Sequence, residues 1–545
     1  MKKTVAALAV EHFKKFGVQH AFGIPGKAVV PLLLEMEKQE MSFVLTRHES
    51  GAGFAAGGYA LQKGTLGVAV GTSGPGGTNM LTAAGQAKAF HLPVLFITGH
   101  PSMKETGKAL GQDSTAFGTD LVKMFEPVTL FSARVERGDL FPMYFRHALE
   151  KAWTGRRGPV HLSIPSDVLR EEIESFDLDL PDSLSMVSSN IEEVVSLLEQ
   201  AQSPLLFIGK GAHLSKAYEE IKWLSMRFNI PIITTPGGKG AVCSDHPGYL
   251  GPFGLGGTEE ASQYLKKGVD LLIVIGTKLT DMTLAGFTPD MYPKQIIQFD
   301  CDPTFVGKSI PVPTLAVIGD AKENLRALLY KASEENKLNT SSRSYSISNH
   351  KEEMIAEDDQ WLSAAQVMKI LRKTLPASTI VFGDDGSHTF YAIKYFDILQ
   401  EGTFFFDDVF GTMGHGIGYA IGAKLANPER PIVCLTGDGC TLMHGTEIST
   451  AVCHQIPVVF VVINNGRLDM VDKGMRYNVG RAVGTVYETP VDVHLFAQSL
   501  GAASFQCAKE QEIEQAVSFA LQHSGPTVIE VLVNPDEIPP TMNRG

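Results

Sequence analysis

PIVCLTGDGCTLMHGTEISTAVCHQIPVVFVVINNGRLDMV, residues 431–471, is the stretch that decides the fold. An apolar run from Ile432 to Leu435 meets Gly437-Asp438-Gly439, a helical pattern follows, and a second apolar run from Pro457 to Ile463 stops at Asn464-Asn465-Gly466. This reads as strand, helix, strand, with oxygen-bearing residues at both strand ends. In a parallel sheet those ends share one edge, so Asp438 and Asn465 converge although 465 − 438 = 27 positions separate them. A carboxylate, an amide oxygen and a backbone carbonyl there suit a small hard cation. Magnesium is the natural occupant, with a phosphate and water completing its shell. Gly437 and Gly439 let a diphosphate approach the backbone closely. Taken singly, GDG is a tight turn and NNG a loop signal; their placement at two strand ends around a helix is what points to the cation.

Working outward, the 545 residues are 44% hydrophobic, ample for several buried cores. Lys+Arg 47 against Asp+Glu 60 leaves a formal charge of −13, so the chain as a whole offers no footprint for nucleic acid or an anionic membrane. The six cysteines are scattered without a CxxC, several in apolar runs, and read as reduced, buried thiols of a cytoplasmic protein. At the N-terminus, Glu11, His12, Lys14 and Lys15 interrupt the apolar run too early for a signal peptide. An amphipathic first helix fits better, and no stretch is long enough to span a bilayer.

Residues 1–170 alternate apolar strands with helical segments, as in a doubly wound parallel sheet. The strands read are 20–22, 43–45, 67–70, 94–97 and 160–164, and the loops at their ends (23–26, 47–49, 72–79) would line a ligand crevice. Residues 171–190 read as a linker, 191–330 as a second α/β domain, and 331–358, polar and serine-rich, as another linker. The third domain, 360–545, contains the opening stretch. The fold class expected is therefore α/β, with three doubly wound parallel-sheet domains. The first and third are similar in kind, each with glycine-rich strand-end loops.

Glu49 follows the strand 43–45 and opens a segment of small residues, SGAGFAAGGYA, that allows very close helix packing. A helix N-terminal Glu ordinarily just complements the dipole. A single carboxyl group in apolar surroundings is, however, what a cofactor heterocycle needs to be held in its reactive tautomer.

The chain resembles the thiamine-diphosphate enzymes of the acetolactate (acetohydroxyacid) synthase family over nearly its whole length. The segments that carry the resemblance are FGIPGKAVVPLL (22–33), RHESGAGFAAGGYA (47–60), GTSGPGGTN (71–79), RRGPVHLSIPSDV (156–168), FGTMGHGIGYAIGAKLANP (410–428) and GDGCTLMHGTEISTA to NNGRLDMV (437–471). It implies an N-terminal pyrimidine-binding domain and a C-terminal diphosphate- and magnesium-binding domain. Glu49 becomes the cofactor-activating acid, with Thr72, Pro75 and Asn79 near the pyrimidine. Met413 becomes the apolar wedge beneath the cofactor, and Gly386-Ser387-His388 a diphosphate turn. Gly437, Gly439 and Cys440 also fall to the cofactor; Asp438, Asn465 and the Arg467 carbonyl fall to magnesium. Phe117, Gly118 and Met470 would line the substrate pocket. FAD in the middle domain stays open, with Gly209, Gly211, Lys278 and Asp300 in comparable segments.

Several residues depart from the family. Ser387 stands where a Gln is frequent, Gly118 replaces a Gln, Ser166 a Lys, Asp469 the glycine of GMV, and Gly474 a common tryptophan. A smaller, more polar second-substrate region follows. The implied reaction is decarboxylation of a 2-oxo acid, pyruvate first, with transfer of the remaining fragment to an acceptor carbonyl. The alternatives are a simple 2-oxo acid decarboxylase, a ligase with an unusual acceptor, or a non-catalytic nucleotide-binding protein. His91, His100, His415 and His444 are candidate proton shuttles, His415 first among them. The family architecture implies a homodimer or homotetramer, with Glu49 and Asp438 reaching one cofactor from different chains.

Overall fold

Three six-stranded sheets follow one another along the chain, every strand parallel to its neighbours. This computed structural model describes residues 1–181, 186–334 and 361–541. Most of the serine-rich stretch read as a second linker lies outside them; its first residues close the helix Ala321–Glu334.

In spatial order the first sheet is Ser42–Leu45, His20–Gly23, Gly67–Gly71, Val94–His100, Val160–Pro165 and Phe131–Arg134. The third is Phe404–Phe406, Ile380–Gly383, Ile432–Gly437, Val458–Asn464, Thr527–Leu532 and Ala503–Cys507. Numbered along the chain, both run 2-1-3-4-6-5, so the similarity expected between these domains extends to their strand order. The middle sheet runs 3-2-1-4-5-6, the order found in dinucleotide-binding folds. The central strands Val94–His100, Leu271–Ile275 and Val458–Asn464 are buried at every residue. Helices cover both faces of such sheets, which is why these strands read as unbroken apolar runs.

Six strands of these sheets were absent from the sequence reading: Phe131–Arg134, Tyr249–Pro252, Thr314–Ile318, Phe404–Phe406, Ala503–Cys507 and Thr527–Leu532. All but Thr527–Leu532 lie at a sheet edge, where one flank has no neighbour and the apolar run is shorter or diluted. The stretch read as a first linker also contributes structure, because Glu172–Glu174 pairs antiparallel with Lys2–Thr4. The cysteines need one correction: none is in a disulfide, but Cys301 and Cys453 are exposed. Cys301 lies in the turn after the strand Gln295–Asp300 and Cys453 ends the helix Ile448–Cys453, which puts both at the surface.

The first and third domains are joined by a helix pair. Glu49–Lys63 packs on His415–Ala426 along faces made of small residues. Backbones approach so closely that a Cβ on Gly58 would lie 2.1 Å from the Tyr419 carbonyl oxygen, and one on Gly422 would lie 1.8 Å from that of Ala55. Between them sit the buried Phe54, Tyr59 and Tyr419. Backbone against backbone leaves no side chain free to yield.

Gly58→Ala is therefore expected to destabilise the protein by about 1–3 kcal/mol or more in urea unfolding. Gly474→Ala, inside the helix Asp469–Val479 with nothing within 4 Å of the added Cβ, is expected to stabilise it by about 0.5–1 kcal/mol.

Candidate active site

Glu49 is the first residue of its helix, placed there by the turn after strand Ser42–Leu45. His48 caps the helix, its side chain accepting from the Ser50 amide. The Glu49 carboxylate is buried and accepts a hydrogen bond from Asn79 Nδ2 at 2.9 Å. Asn79 ends the short helix Pro75–Thr78, entered through Gly74 at φ +64°. Thr72, at the end of strand Gly67–Gly71, has a buried hydroxyl without a partner. Glu49, Thr72, Pro75 and Asn79 thus belong to one pair of strand-end loops, linked directly through Glu49 and Asn79.

A residue that the sequence did not single out supports this arrangement. Glu447, from the third domain, is buried and accepts from the backbone N–H of His48 at 2.8 Å and of Arg47 at 3.0 Å. It also accepts from Thr450 Oγ1 at 2.7 Å. Burial raises its pKa, and the hydrogen bonds from Thr450, His48 and Arg47 oppose the rise. Nothing local in GTEIST marks Glu447, because the backbone it holds, at Arg47 and His48, lies 400 and 399 positions away.

At the other end, register brings the GDG and NNG turns together. Gly437 pairs with Ile463, so the next residue, Asp438, faces the turn after Asn464. Asp438 Oδ1 accepts from the Gly439 amide at 2.8 Å and Oδ2 from the Gly466 amide at 2.9 Å. Burial raises its pKa to about 6 against those amides. Asn464 is occupied elsewhere, donating to Glu530 Oε1 at 2.6 Å and to the Val491 carbonyl. The Asn465 side chain makes no hydrogen bond among the described residues. The turn is fixed from outside by Tyr487, whose amide donates to the Gly466 carbonyl, and by a bridge between Arg467 and Val486.

Between these turns lies the loop Gly411–Gly414. A Cβ on Gly439 would come within 3.1 Å of the Met413 terminal methyl, so Met413 reaches the GDG turn. His388 packs against Gly437, where an added Cβ would lie 2.9 Å from its Nδ1. Its Nε2 is buried and unpartnered, and burial lowers its pKa to about 4. Burial raises the pKa of Asp469, and the nearby Ser387 hydroxyl opposes the rise, so two of the residues that depart from the family influence each other. The Cys440 thiol donates to the Asp385 carbonyl at 3.2 Å.

Asp384 holds the loop. Its Oδ1 accepts from the amides of Gly414 (2.8 Å) and Asp385 (2.9 Å), and its Oδ2 from Thr436 Oγ1 (2.8 Å). His415 Nδ1 lies 3.2 Å from Asp384 Oδ1 and 2.6 Å from the Thr412 carbonyl. Burial alone would lower the pKa of His415, but Asp384, Asp407 and the Thr412 carbonyl outweigh it and raise it to about 9. The imidazole is therefore a buried cation, and it anchors the loop. His91 and His100 have lowered pKa values, chiefly through burial, as does His444.

The substrate-pocket residues are not brought together within one chain. Phe117 is 77% exposed and Gly118 is exposed beside it, while Met470 packs partly buried against the third-domain core. No hydrogen bond joins Glu49 to a third-domain residue among the described residues.

A cavity of about 640 Å³ opens where the three domains meet, lined among others by His91, Arg156, Lys210, Gly211, Lys278 and Asp300. Of the four residues matched to an FAD segment, Gly209 is not in the lining; it packs against Thr277 and Gly276. Lys210 is buried and pairs with Asp407 at 2.7 Å. Asp407 also accepts from Gln86 Nε2, and Gln86 Oε1 accepts from the Thr412 amide at 3.3 Å. A polar chain thus runs from the cavity to the Met413 loop.

Comparison with known proteins agrees with this geometry. Family models for thiamine pyrophosphate enzymes match all three domains: the N-terminal binding domain over residues 3–123, the central domain over 191–328 and the C-terminal binding domain over 384–531. This is the class of thiamine-diphosphate-dependent enzymes. The chain is 31% identical to a probable acetolactate synthase large subunit of Methanococcus aeolicus, covering 95% of this chain and 90% of that one. It is 30% identical to the acetolactate synthase large subunit of Corynebacterium glutamicum (100% and 89%), and 28% identical to the isozyme 2 large subunit of Escherichia coli (97% and 95%). The chain belongs to the acetolactate synthase-like family of these enzymes. In fold it is similar to a Rhodococcus jostii thiamine diphosphate-dependent 4-hydroxybenzoylformate decarboxylase, with a TM-score of 0.86 at 23% identity over 98% of this chain and 100% of that one.

The residues present suit the cofactor. Two buried polar atoms, Thr72 Oγ1 and His388 Nε2, are left without a partner, and Gly437 and Gly439 sit where an added Cβ would meet His388, Leu468 or Met413 at 2.8–3.1 Å, so the turn stays bare backbone. A buried carboxylate beside a free amide side chain is an oxygen donor set for a hard cation. No described helix is long and apolar enough to cross a membrane.

The His415–Asp384 pair makes stability pH-dependent. A raised folded-state pKa means that the stabilisation is complete below the unfolded value near 6.5 and is lost as pH rises through about 9. Unfolding free energies across that window should fall more in the wild type than in His415→Gln.

Proposed function

We propose that the protein uses thiamine diphosphate and magnesium to decarboxylate a 2-oxo acid, pyruvate first, and to join the remaining fragment to an acceptor carbonyl. The observation that carries this reading is the buried Glu49 carboxylate, held at 2.9 Å by Asn79 on a helix packed without slack against the third domain. When bound, the cofactor supplies a nucleophilic carbon and an electron sink for the loss of carbon dioxide.

The chain's own residues do the rest. Glu49 accepts and returns a proton at the pyrimidine, fixing its tautomer. Thr72, Pro75 and Asn79 shape that end. Asp438, Asn465 and the Arg467 carbonyl hold magnesium, Gly386, Ser387, His388, Gly437, Gly439 and Cys440 receive the diphosphate, and Met413 presses from below. Asp384 and His415 keep the Met413 loop in place, so the reacting groups meet in one geometry. Phe117, Gly118 and Met470 border the substrate. We assign the assembly as a homodimer or homotetramer. Supporting this, apolar side chains flanking the site, Phe410, Leu442 and Met443, are each at least half exposed in a single chain, as a second copy would require. A decarboxylase that releases the fragment without ligation is the second reading. It is favoured by Asp469 and Gly474, which leave the acceptor side more polar and more open.

Glu49→Gln is expected to lower turnover of pyruvate by about 10²-fold or more while calorimetric binding of thiamine diphosphate with magnesium persists. Separation of acetolactate from acetaldehyde among the wild-type products distinguishes ligase from decarboxylase. Unchanged turnover in the Gln variant would sink the assignment of Glu49. The visible absorption spectrum of purified protein reports directly whether FAD fills the cavity between the domains.

A further inference from the structure

Asp385 has no part in the site described so far, yet it lies among its components. Its backbone is fixed on both sides: the amide donates to Asp384 Oδ1 at 2.9 Å, and the carbonyl accepts from the Cys440 thiol. It directly precedes the Gly386-Ser387-His388 turn. Its carboxylate leans over the Met413 loop, where a Cβ on Gly411 would lie 2.9 Å from Oδ2. Gly411 has φ +70°, so the loop passes beneath the carboxylate in a conformation suited to glycine.

The carboxylate itself makes no hydrogen bond among the described residues, although the side chain is only partly exposed. A carboxylate kept for structure in such a place finds donors, as Asp384 next to it does with three hydrogen-bond donors and an imidazolium. The two neighbours are also driven apart electrostatically. Burial would raise both, but His415 and Thr436 bring Asp384 below its ordinary value, whereas Asp385 is pushed up to about 6. The charged groups acting on Asp385 are His415, which opposes the rise, and Asp384 and Asp407, which add to it. Adjacent carboxyl groups with divergent affinities for a proton are the pattern by which acid and base roles are divided within a site.

We propose that Asp385 is a further acid–base group of this site, handing a proton to the substrate's carbonyl oxygen as the carbonyl carbon is attacked. In that step the carbonyl π pair moves onto oxygen, an O–H bond forms there, and the Asp385 O–H bond breaks. The carboxylate regains a proton when a carbonyl is re-formed on product release. The proposal rests on the thiamine-diphosphate reading above and adds to it a second proton-transfer residue, on the diphosphate side of the cofactor site rather than beside Glu49.

The test uses the full-length protein and the variants Asp385→Asn and Asp385→Glu. In protein labelled with ¹³C at the aspartate carboxyls, one resonance absent from the Asn variant should titrate near pH 6 in the wild type and move when thiamine diphosphate and magnesium are added. With pyruvate, the Asn variant should lose roughly a hundredfold or more in kcat with KM little changed, and lose the limb of the pH profile near 6; the Glu variant should recover part of the rate. An Asn variant that binds the cofactor and turns over within about threefold of wild type across the profile overturns this proposal alone. Failure of the wild type to bind thiamine diphosphate in calorimetry overturns it together with the function on which it rests.

Discussion

The structure depends on one contact, the approach of helix Glu49–Lys63 to helix His415–Ala426 with carbonyl oxygens where Cβ atoms would otherwise stand. Every element of the candidate site is referred to it. Glu49 begins one helix and the Met413 loop leads into the other, so the distance between the domains is fixed by two backbones rather than by adaptable side chains. Tight interiors transmit displacement instead of absorbing it. The small residues in SGAGFAAGGYA and HGIGYAIGAKLA exchange side-chain burial for this positional definition.

The site also concentrates buried charge. Glu447 reaches across the domain boundary to the backbone before Glu49, Asp384 and His415 pair inside the third domain, and Lys210 with Asp407 links the middle domain to both. Each ionised group has its hydrogen-bond complement, which is the condition under which such groups are tolerated in an interior. These polar connections specify orientation where apolar packing would permit sliding.

Much of this was readable from residue order, because strand ends and loop composition are local properties. Asp438 and the NNG turn announce their convergence through parallel register alone, and the small residues after Glu49 announce close packing. The edge strands did not: Tyr249–Pro252 is buried but short and ends in Gly251 and Pro252, and Thr314–Ile318 is partly exposed along most of its length, so neither gives a continuous apolar signal. Glu447 and Gln86 were invisible for another reason: each acts on a partner more than 300 positions away, and no short motif encodes such a pairing. The exposure of Phe117 has the same origin, because a loop's composition does not say what will cover it.

The fate of the two asparagines in the NNG turn carries a further consequence. Glu530, buried in the neighbouring strand, accepts from Asn464, from the amides of Val493 and His494, and from Gln506. One carboxylate thereby decides which of two chemically identical side chains is spent on architecture and which stays uncommitted. The division of labour within the turn is thus written in the neighbouring strand and not in the turn itself. Selection acting on strand Thr527–Leu532 can retune the turn while every residue of the turn stays the same.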